Sequence, residues 1–410
     1  MGNWIAVAVT SGTLLVTQRF VEIDTESIWN AAIDDETFDL NLSDRVKQIM
    51  LLRGFAVRRN KAEQGRFLVQ VANWDDSLTL KNAASPYAGR LGYGKLRLRF
   101  VHDGIEHVMF QGTIESWTYM SQRPPKFVRI TAYDAMKDIR ESFRVSEIEA
   151  TESPLEAHEF LHHIADGLGY LRERQQFEAT PLRVPPVERF ERRIDGLITK
   201  IVEADAGAFW GGKRGELIYR NRRFRNAVAE PPVLSFSMAA TGLELGDSQL
   251  HHDQKNRHNR VEFRLRSGTA AEPTVVFPDG PLTEAQRRYG VRTKRFQNEL
   301  IDSVAQARDR AILTLHLFEN PVLRSPPLRV PMDQDPETTY PAVFGMELLD
   351  PVAMDLTPVT DGAERFLVQK LDYRHVMGDN PEVRLTLMQP PLVNPWSVSD
   401  ALNSGKDLGY

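Results

Sequence analysis

Residues 94–117 read GKLRLRFVHDGIEHVMFQGTIESW, and this stretch decides the fold class. Along its first strand Leu96, Leu98 and Phe100 point to one side, while the lysine and arginines between them point to the other. A period of two is typical of a β-strand in a sheet with one buried and one solvated face. The turn-forming HDG at 102–104 leads into a second strand of the same sheet.

The same alternation recurs on both sides of a middle segment. Before it lie RFLVQVANW (66–74), KFVRITAYD (126–134), an N-terminal hairpin around TSGT and a short closing helix in YDAMKDIRESF. After it lie NRVEFRLRSG (259–268), PLRVPMD, ERFLVQKLDYRHV, EVRLTLMQPPL and one long helix over 302–319, which Asp302 or Ser303 caps. Two β-rich blocks are therefore predicted.

The middle segment has helical periodicity instead. In SPLEAHEFLHHIADGLGY (153–170), Ser153 is the predicted N-cap and Pro154 the first helical residue. A second helix covers ERRIDGLITKIVEADAG (191–207), and the strand ELIYRNRR follows. The predicted fold class is α+β, mainly β. Its predicted parts are an N-terminal β domain (1–149), an α+β insert (150–235), a second β domain with one long helix (236–390) and an extended tail (391–410).

Composition excludes several classes of chemistry. The 410 residues include no cysteine, so disulfides, cysteine-bound zinc, iron–sulfur clusters and thiol catalysis are ruled out. The net charge of −5 gives no reason to expect binding to nucleic acid or to anionic membranes. The N-terminal stretch has neither a basic leader nor an apolar run long enough for a signal core, so no export signal and no stable membrane anchor are predicted.

One short motif points to metal chemistry. HEFLHH (158–163) contains the H-E-x-x-H pattern of zinc peptidases, in which His158 and His162 would bind zinc and Glu159 would act as the base. The longer metzincin pattern fails, because Ala165 and Leu168 stand where glycine and the third histidine belong. The favoured interpretation is a polar shoulder on a short amphipathic helix, and a zinc-dependent peptidase or cell-wall hydrolase stays as an alternative.

Other motifs are weaker still. GRLGYGKL (89–96) resembles a phosphate-binding loop, but Leu96 replaces the required Ser or Thr and a strand follows instead of a helix. YRNRRFR (219–225) is interpreted as a charged strand or loop at a subunit contact, with nucleic-acid recognition as a weaker alternative. QLHHDQKNRHN (249–259), which contains His251, His252, Asp253 and His258, is interpreted as a solvated loop before a strand, with metal binding as the weaker alternative. We therefore predict no catalytic residue, no metal site and no cofactor, and a protein that is not an enzyme.

A family resemblance enters at residues 71–100, VANWDDSLTLKNAASPYAGRLGYGKLRLRF. This stretch resembles the N-terminal domain of tail hub proteins, also called minor tail proteins, of long-tailed phages and prophages. DRVKQIMLLRG (44–54), VRITAYDAMKDI, NRVEF and RYGVRT resemble further segments of that family, in the same order. The matching motif positions are Asp75, Asn82, Ser85, Pro86, Tyr87, Gly89, Leu91, Phe110, Gly112, Ile114 and Trp117.

The resemblance implies two tail-tube-like β-barrel domains with the small α+β domain between them. Three such subunits would form a pseudo-hexameric ring that joins the tail tube to the tip. The implied partners are two further copies, a distal tail or tube protein, and tip, spike or fibre proteins, with the tape-measure protein as a further candidate. DNA would pass through without specific binding. The implied place is the distal end of the tail in the virion, after synthesis in the host cytoplasm. A carbohydrate-binding receptor protein is the second alternative.

Overall fold

A computed structural model of the chain describes residues 4–10, 13–24, 40–56, 61–62, 64–85, 94–120, 126–141, 155–184, 194–237, 243–244, 251–253, 257–265, 274–298, 300–301, 303–318, 322–324, 327–355 and 362–389. The described strands are β1 (Trp4–Thr10), β2 (Thr13–Asp24), β3 (Leu40–Asn41), β4 (Val46–Ala56), β5 (Lys61–Ala62), β6 (Arg66–Ala72), β7 (Lys95–His102), β8 (Ile105–Tyr119), β9 (Phe127–Tyr133), β10 (Leu155–Glu156), β11 (Gln175–Phe177), β12 (Arg183–Val184), β13 (Ala208–Gly211), β14 (Leu217–Arg220), β15 (Leu234–Ser237), β16 (Leu243–Glu244), β17 (His251–Asp253), β18 (Arg260–Arg264), β19 (Thr274–Phe277), β20 (Thr293–Gln297), β21 (Val322–Arg324), β22 (Leu328–Val330), β23 (Pro351–Asp355), β24 (Ala363–Val376) and β25 (Glu382–Met388). The described α-helices are α1 (Met136–Glu141), α2 (Ala157–Gly167), α3 (Ile194–Asp205), α4 (Glu284–Tyr289), α5 (Val304–Phe318) and α6 (Pro336–Gly345).

Strands from both β-rich blocks of the chain join in one large sheet. In the described residues, fifteen strands are joined. Eleven follow the order β1-β2-β7-β8-β9-β6-β4-β24-β23-β15-β16, β25 and β22 continue from β24, β3 pairs with β2, and β5 pairs with β4. The sheet is curled into a half-barrel. The α+β, mainly β fold class predicted from the sequence is therefore confirmed.

The long strand β24 joins the two halves of this sheet. It pairs antiparallel with β4 from Lys370 opposite Gly54 to Val376 opposite Gln48. Leu371 pairs with both Arg53 and Leu385, so β4 and β25 lie on opposite edges of β24. By the same reasoning Leu367, which pairs with both Pro351 and Met388, places β23 on the β4 edge. One edge of β24 therefore carries β23 and β4 end to end.

A single apolar core lies beneath both halves. The predicted inward positions of β7 are confirmed, because Leu96, Leu98 and Phe100 are fully buried. The ring of Phe100 stacks on Phe344 of α6 with centroids 4.1 Å apart and meets Tyr373 of β24 edge-on at 5.7 Å. Such aromatic contacts add to the free energy of burial, so N-terminal and C-terminal strands stabilise each other.

A second core belongs to the helical part of the chain. It contains the predicted stripe of α3, which includes Ile194, Leu197 and Ile201, and residues of α1, α2, β13 and β14. Phe263 of β18 and Ala307 of α5 also lie in it. The three-stranded sheet β19-β18-β20 therefore packs with the helices, although it follows the insert in sequence. The domain boundaries given above stay a prediction, and residues 391–410 lie outside the described residues.

Helix boundaries differ from the sequence-based expectation at one place. Helix α2 begins at Ala157, and its N-cap is Glu156 rather than Ser153. The backbone N–H of Glu156 donates to the carboxylate of Glu159 at 3.3 Å, because a Glu pair can form the reciprocal contacts of a capping box. Ser153 and Pro154 lie outside the described residues. At α5 the predicted cap is confirmed, since the Ser303 hydroxyl accepts from the N–H of Gln306 at 3.2 Å.

Helix α6 was not predicted. It contains Pro341 in its interior and two threonines in its first half, a composition that argues against a helix. Asp335 accepts from the N–H of Thr338 as the N-cap, and burial of Tyr340 and Phe344 in the first core stabilises the helix. Among the described helices, none is long and apolar enough to cross a membrane.

Strand β8 passes its neighbour β9 at very short range. A Cβ on Gly112 would lie 2.2 Å from the carbonyl oxygen of Tyr133 and 2.6 Å from the ring of Phe110. The pairing of β8 with β9 shifts register just beyond this point, between Ile114 and Ser116. Only glycine fits here, because the nearest atom belongs to backbone and cannot rotate away.

We predict that Gly112→Ala destabilises the protein by about 2–4 kcal/mol, because the added methyl must push two strands apart. Gly196, on the exposed side of α3, has nothing within 4 Å of its would-be Cβ, so Gly196→Ala serves as the control. That control is expected to gain about 0.5–1 kcal/mol from helix propensity. Chemical denaturation of both variants measures the difference, and equal stabilities would contradict the close approach.

Candidate functional site

The family motif of residues 73–85 folds into a tightly bonded loop, called here the motif loop. Arg45, just before β4, donates two parallel hydrogen bonds to the carboxylate of Asp75, both at 2.8 Å, and a third to Ser77 at 2.7 Å. Its guanidinium also lies 5.2 Å from the ring centre of Trp74. Arginine makes such paired contacts in a fixed geometry, so the start of the loop is locked to the sheet.

The remaining described motif residues close the loop. The amide of Asn82 donates to the carbonyl of Asp76 at 3.0 Å, and the hydroxyl of Ser85 donates to the carbonyl of Ser77. The indole N–H of Trp117 on β8 donates to the carbonyl of Leu78 at 3.1 Å. Asp75, Asn82, Ser85 and Trp117 are thus brought together, although they are spread over more than forty residues of sequence. Their common role is to fix one loop conformation.

The loop presents an aromatic side chain to solvent. Trp74 is 61% exposed. Leu80 of the same loop is also exposed, as are Tyr119, whose hydroxyl accepts from the N–H of Leu80, and the adjacent Met120. The hydrogen bonds from Arg45 lower the pKa of Asp75 well below its usual range, so its carboxylate stays ionised at every physiological pH. An exposed tryptophan on a rigid support is typical of protein contact surfaces.

The motif loop lies at one end of the strands, and a second group of motif residues lies at the other. The N–H of Asn73 donates to the carbonyl of Lys126 at 2.9 Å, where β6 ends and β9 begins. At the opposite end of the same two strands, the N–H of Asp134 donates to the carbonyl of Gly65 at 3.1 Å. Seven residues of strand separate the two ends, or about 23 Å.

At this opposite end a group of buried and half-buried charged side chains joins three parts of the chain; we call it the charged joint. Arg53 of β4 is 3% exposed and forms an ion pair with Glu347, which follows α6. The same guanidinium lies 3.5 Å from the carbonyl oxygen of Gly211 in β13. Lys213, in the turn after β13, donates to the carbonyl of Gly345. The joint therefore ties the helical unit to both halves of the large sheet.

Asp134 completes the charged joint. Its two carboxylate oxygens accept from the N–H groups of Gly65 at 2.8 Å and Met136 at 3.1 Å. Burial raises the pKa of Asp134 to about 7, although those hydrogen bonds and Arg53 act in the other direction. A Cβ on Gly211 would lie 2.6 Å from the Asp134 carboxyl, so the helical unit approaches this group very closely. Burial also raises the pKa of Asp350 to about 6 and lowers that of Lys213.

The H-E-x-x-H residues have other contacts. Nδ1 of His158 lies 3.4 Å from the carboxylate of Glu156, and Glu159 serves the capping box of α2. Nδ1 of His162 lies 2.7 Å from the amide oxygen of Gln175 and donates to it. The rings of His158 and His162 are 6.4 Å apart at an interplanar angle of 74°. Within the described residues there is no group of three or more His, Asp or Glu that could hold a metal ion.

The other predicted positions have these locations. Phe110 lies in the first core, with its ring centre 5.3 Å from that of Phe67, and Gly112 permits the close passage of β8 and β9. Ile114 is buried. Residues 222–229, in the basic segment, form a 3₁₀-helix, in which Arg222 contacts the buried Asp205 at 3.3 Å. Pro86, Tyr87, Gly89 and Leu91 lie outside the described residues.

Sequence reasoning missed the partners of the motif residues. It did not single out Arg45, Lys213 or Glu347. Arg45 stands thirty residues from Asp75, and Glu347 stands 294 residues from Arg53. No local pattern can reveal pairings over such separations. The Arg-Gly end of DRVKQIMLLRG was a usable signal, because a charged residue at an inward position of a strand needs a partner.

No protein-family model and no curated protein matches the sequence. Solved structures do match the fold. The 43 kDa tail protein of prophage MuSo2 from Shewanella oneidensis superposes with a TM-score of 0.58 at 10% identity, covering 91% of this chain and 98% of that one. The tail protein from Neisseria meningitidis MC58 gives 0.58 at 12% identity, covering 92% and 98%. This chain has the fold of phage tail proteins.

The same fold extends to a related assembly. A chain of the Francisella PdpA–VgrG complex superposes with a TM-score of 0.52 at 10% identity, covering 92% of this chain and 53% of that one. The phage-tail fold confirms the resemblance that the motif order of the sequence indicated.

For the motif loop we predict that Arg45→Lys speeds hydrogen exchange of the amides in residues 73–85, because lysine cannot make the paired contact with Asp75. Global stability should change by less than about 1 kcal/mol, since the pair is partly exposed. Arg172→Lys is the matched control, because Arg172 forms an exposed ion pair with Asp166 away from the loop. Unchanged exchange in the motif loop of Arg45→Lys would show that the ion pair does not hold it.

For the charged joint we predict a pH-dependent stability from Asp134. Its folded pKa of about 7 exceeds the ordinary value of 3.8, so the folded state holds the proton more tightly than the unfolded state. Stability from this group is therefore greatest at low pH and is lost as pH rises towards 7. From pH 5 to pH 8, the wild type should lose about 2–3 kcal/mol relative to Asp134→Asn.

The measurement is urea denaturation of both proteins at several pH values. The difference between the two curves isolates Asp134, because Asp350 titrates in both proteins. If the unfolding free energies of the two proteins change with pH in parallel, the pKa of the Asp134 carboxyl lies in its ordinary range. A constant offset between them carries no weight, since asparagine also changes the hydrogen bonds to Gly65 and Met136.

Proposed function

We propose that this chain is the structural hub of a phage or phage-like tail tip. Three copies form a pseudo-hexameric ring at the distal end of the tail, which joins the tail tube to the tip or fibre apparatus and lets DNA pass. In this proposal the protein is not an enzyme, is made in the host cytoplasm and becomes part of the virion.

The observation that carries the proposal is the continuous sheet with N-terminal and C-terminal halves side by side. Within the described part of the chain, the outermost strands β1, β16 and β22 each pair along one edge, and their other edge has no partner strand. Unpaired strand edges and a curled sheet that does not close are completed most simply by further copies. Two sheet halves in each of three subunits supply six wall segments, which matches a six-fold tube. The tail-protein fold supports the same assembly.

The face of the sheet opposite the first core is suited to line the lumen. Its charges are largely compensated by neighbours on the same strand or the next. Ion pairs on this face, among the described residues, include Arg99 with Glu106 at 2.9 Å, Arg374 with Asp372 at 3.0 Å and Arg384 with Glu382 at 2.6 Å. Arginines already paired with carboxylates neutralise few phosphates and therefore displace few counterions from DNA, so such a face would not retain DNA.

The two ends of the strands would meet different partners. The motif loop with Trp74 forms one rim, and the helical unit held by the charged joint lies at the other. We propose that one rim seats the distal tail or tube protein and the other seats tip, spike or fibre proteins. The tape-measure protein is a further candidate for the lumen.

Mass photometry and negative-stain imaging of the purified full chain test the proposal. The expected result is a three-fold ring with a central opening, at three times the 46.6 kDa mass of the chain. A compact monomer at micromolar concentration would contradict it.

Zinc analysis of the same sample addresses the peptidase alternative, because one zinc per chain that disappears in His162→Ala would favour that function instead.

A further inference from the structure

The small sheet β19-β18-β20 and helix α4 carry a surface of opposite charge to the whole chain; we call it the basic face. The described residues between 257 and 298 include eight Lys or Arg and three Asp or Glu, a net charge of +5. The whole chain has a net charge of −5. Arg287, Arg288, Arg292 and Arg295 of this face are exposed. A concentration of one charge on a protein of the other sign indicates a specific partner surface.

Apolar side chains lie among these arginines. Leu282 is 51% exposed, Tyr289 37% and Val291 45%. The guanidinium of Arg257 lies 3.3 Å from the ring centre of Tyr289, and that of Arg288 lies 5.1 Å from it. Arginine and tyrosine around exposed aliphatic groups are the composition that protein interfaces favour. The basic face therefore fits a protein better than a bare polyanion.

The basic face is held in one conformation before any partner binds. Thr283 and Gln286 form a capping box at the start of α4, with contacts of 3.2 and 3.1 Å. The side chain of Asn259 accepts from the N–H of Arg292 at 2.8 Å and donates to the carbonyl of Gly290 at 2.8 Å. A fixed surface loses little conformational entropy on association.

A matching acidic surface exists on the same chain. Residues 330–355 contain six Asp or Glu and no Lys or Arg. Three of the six, Asp333, Asp335 and Glu337, are exposed at the start of α6. Helix α6 packs on the large sheet in the first core, whereas Phe263 beneath the basic face lies in the second core. The two charged surfaces therefore belong to different packing units of the molecule.

We infer that the basic face of one copy contacts the acidic start of α6 in the next copy. This inference rests on the proposed ring and names one of its subunit contacts. The contact is head-to-tail, because the two surfaces differ, and a head-to-tail contact closes into a three-membered ring when each copy is rotated by a third of a turn from the last. Charge complementarity selects a second copy over nucleic acid, since a chain with a net charge of −5 repels a long polyanion.

Charge reversal tests the contact in the full-length chain. Arg287→Glu with Arg288→Glu reverses the basic face, and Asp333→Arg with Glu337→Arg reverses the acidic surface while leaving the cap residue Asp335 intact. Each double variant should weaken ring formation by about tenfold or more in mass photometry at low salt, since like charges then face each other. The chain with all four changes should recover the ring, because complementary charges face each other again.

Arg183→Glu with Arg220→Glu is the matched control, because both arginines are exposed on the helical unit and the charge change is the same. It should form rings like the wild type. Circular dichroism and thermal unfolding of every variant check that each is folded. A fluorescent DNA duplex titrated into wild type and Arg287→Glu/Arg288→Glu tests the polyanion alternative.

The outcomes separate the inference from the proposed function. If the wild type forms rings and both double variants form them equally well, the proposed contact is wrong and the proposed ring stands. Loss of rings in the double variants without recovery in the four-fold variant would also overturn it. DNA binding that only the arginine variant loses, with rings unaffected, would assign the basic face to nucleic acid. A wild type that forms no ring would overturn the proposed function and the contact with it.

Discussion

The antiparallel pairing of β4 with β24 is the constraint on which the molecule depends. It joins residues 48–54 to residues 370–376, so strands from near both ends of the described chain become neighbours. Each half of the large sheet would otherwise end in an open edge over a half-covered core. Because Phe100, Phe344 and Tyr373 pack together beneath this junction, neither half can bury its aromatic side chains alone. The length of β24, fourteen residues, has the same cause, because one of its edges must pair with β4 and β23 in succession.

The charged joint orients the helical unit on the large sheet. Burying Arg53, Glu347 and Lys213 costs free energy of desolvation that apolar packing would not. In return, each group has a defined partner on another segment. Arg53 of β4 contacts Glu347 beyond α6 and Gly211 in β13, and Lys213 donates to Gly345 at the end of α6. An apolar contact tolerates sliding, whereas these contacts exist in one arrangement only. The joint therefore fixes the orientation of the helical unit on the sheet.

Local features of the fold could be predicted from the sequence, and long-range ones could not. The alternation in β7 gave the buried side of the sheet, and the stripe beginning at Ile194 gave the inner face of α3. The union of two β-rich blocks in one sheet needed the pairing of β4 with β24, for which nothing local in either strand is a signal. Helix α6 escaped because Pro341 and its threonines oppose helix formation, and only the packing of Tyr340 and Phe344 overcomes that preference. The prediction of Ser153 as the N-cap of α2 is wrong because Glu156 and Glu159 form a capping box, although serine is by itself the more favourable N-cap residue.

The candidate site shows the same division between local and distant information. Motif order identified Asp75, Asn82, Ser85 and Trp117, but their convergence required the sheet to hold β8 within reach of the loop that follows β6, with β9 between the two strands. Arg45, which binds Asp75, lies just before β4 and thirty residues away in sequence. Some motif residues therefore cluster where the backbone leaves the sheet, at the motif loop of one end and at Arg53 and Asp134 of the other, whereas Phe110, Gly112 and Ile114 lie within β8. Between these ends most strand positions need only apolar residues on one side and charged or polar residues on the other, and Gly112 is an exception because β9 passes so close to it. Many sequences satisfy such a pattern, which agrees with a shared fold at 10–12% sequence identity.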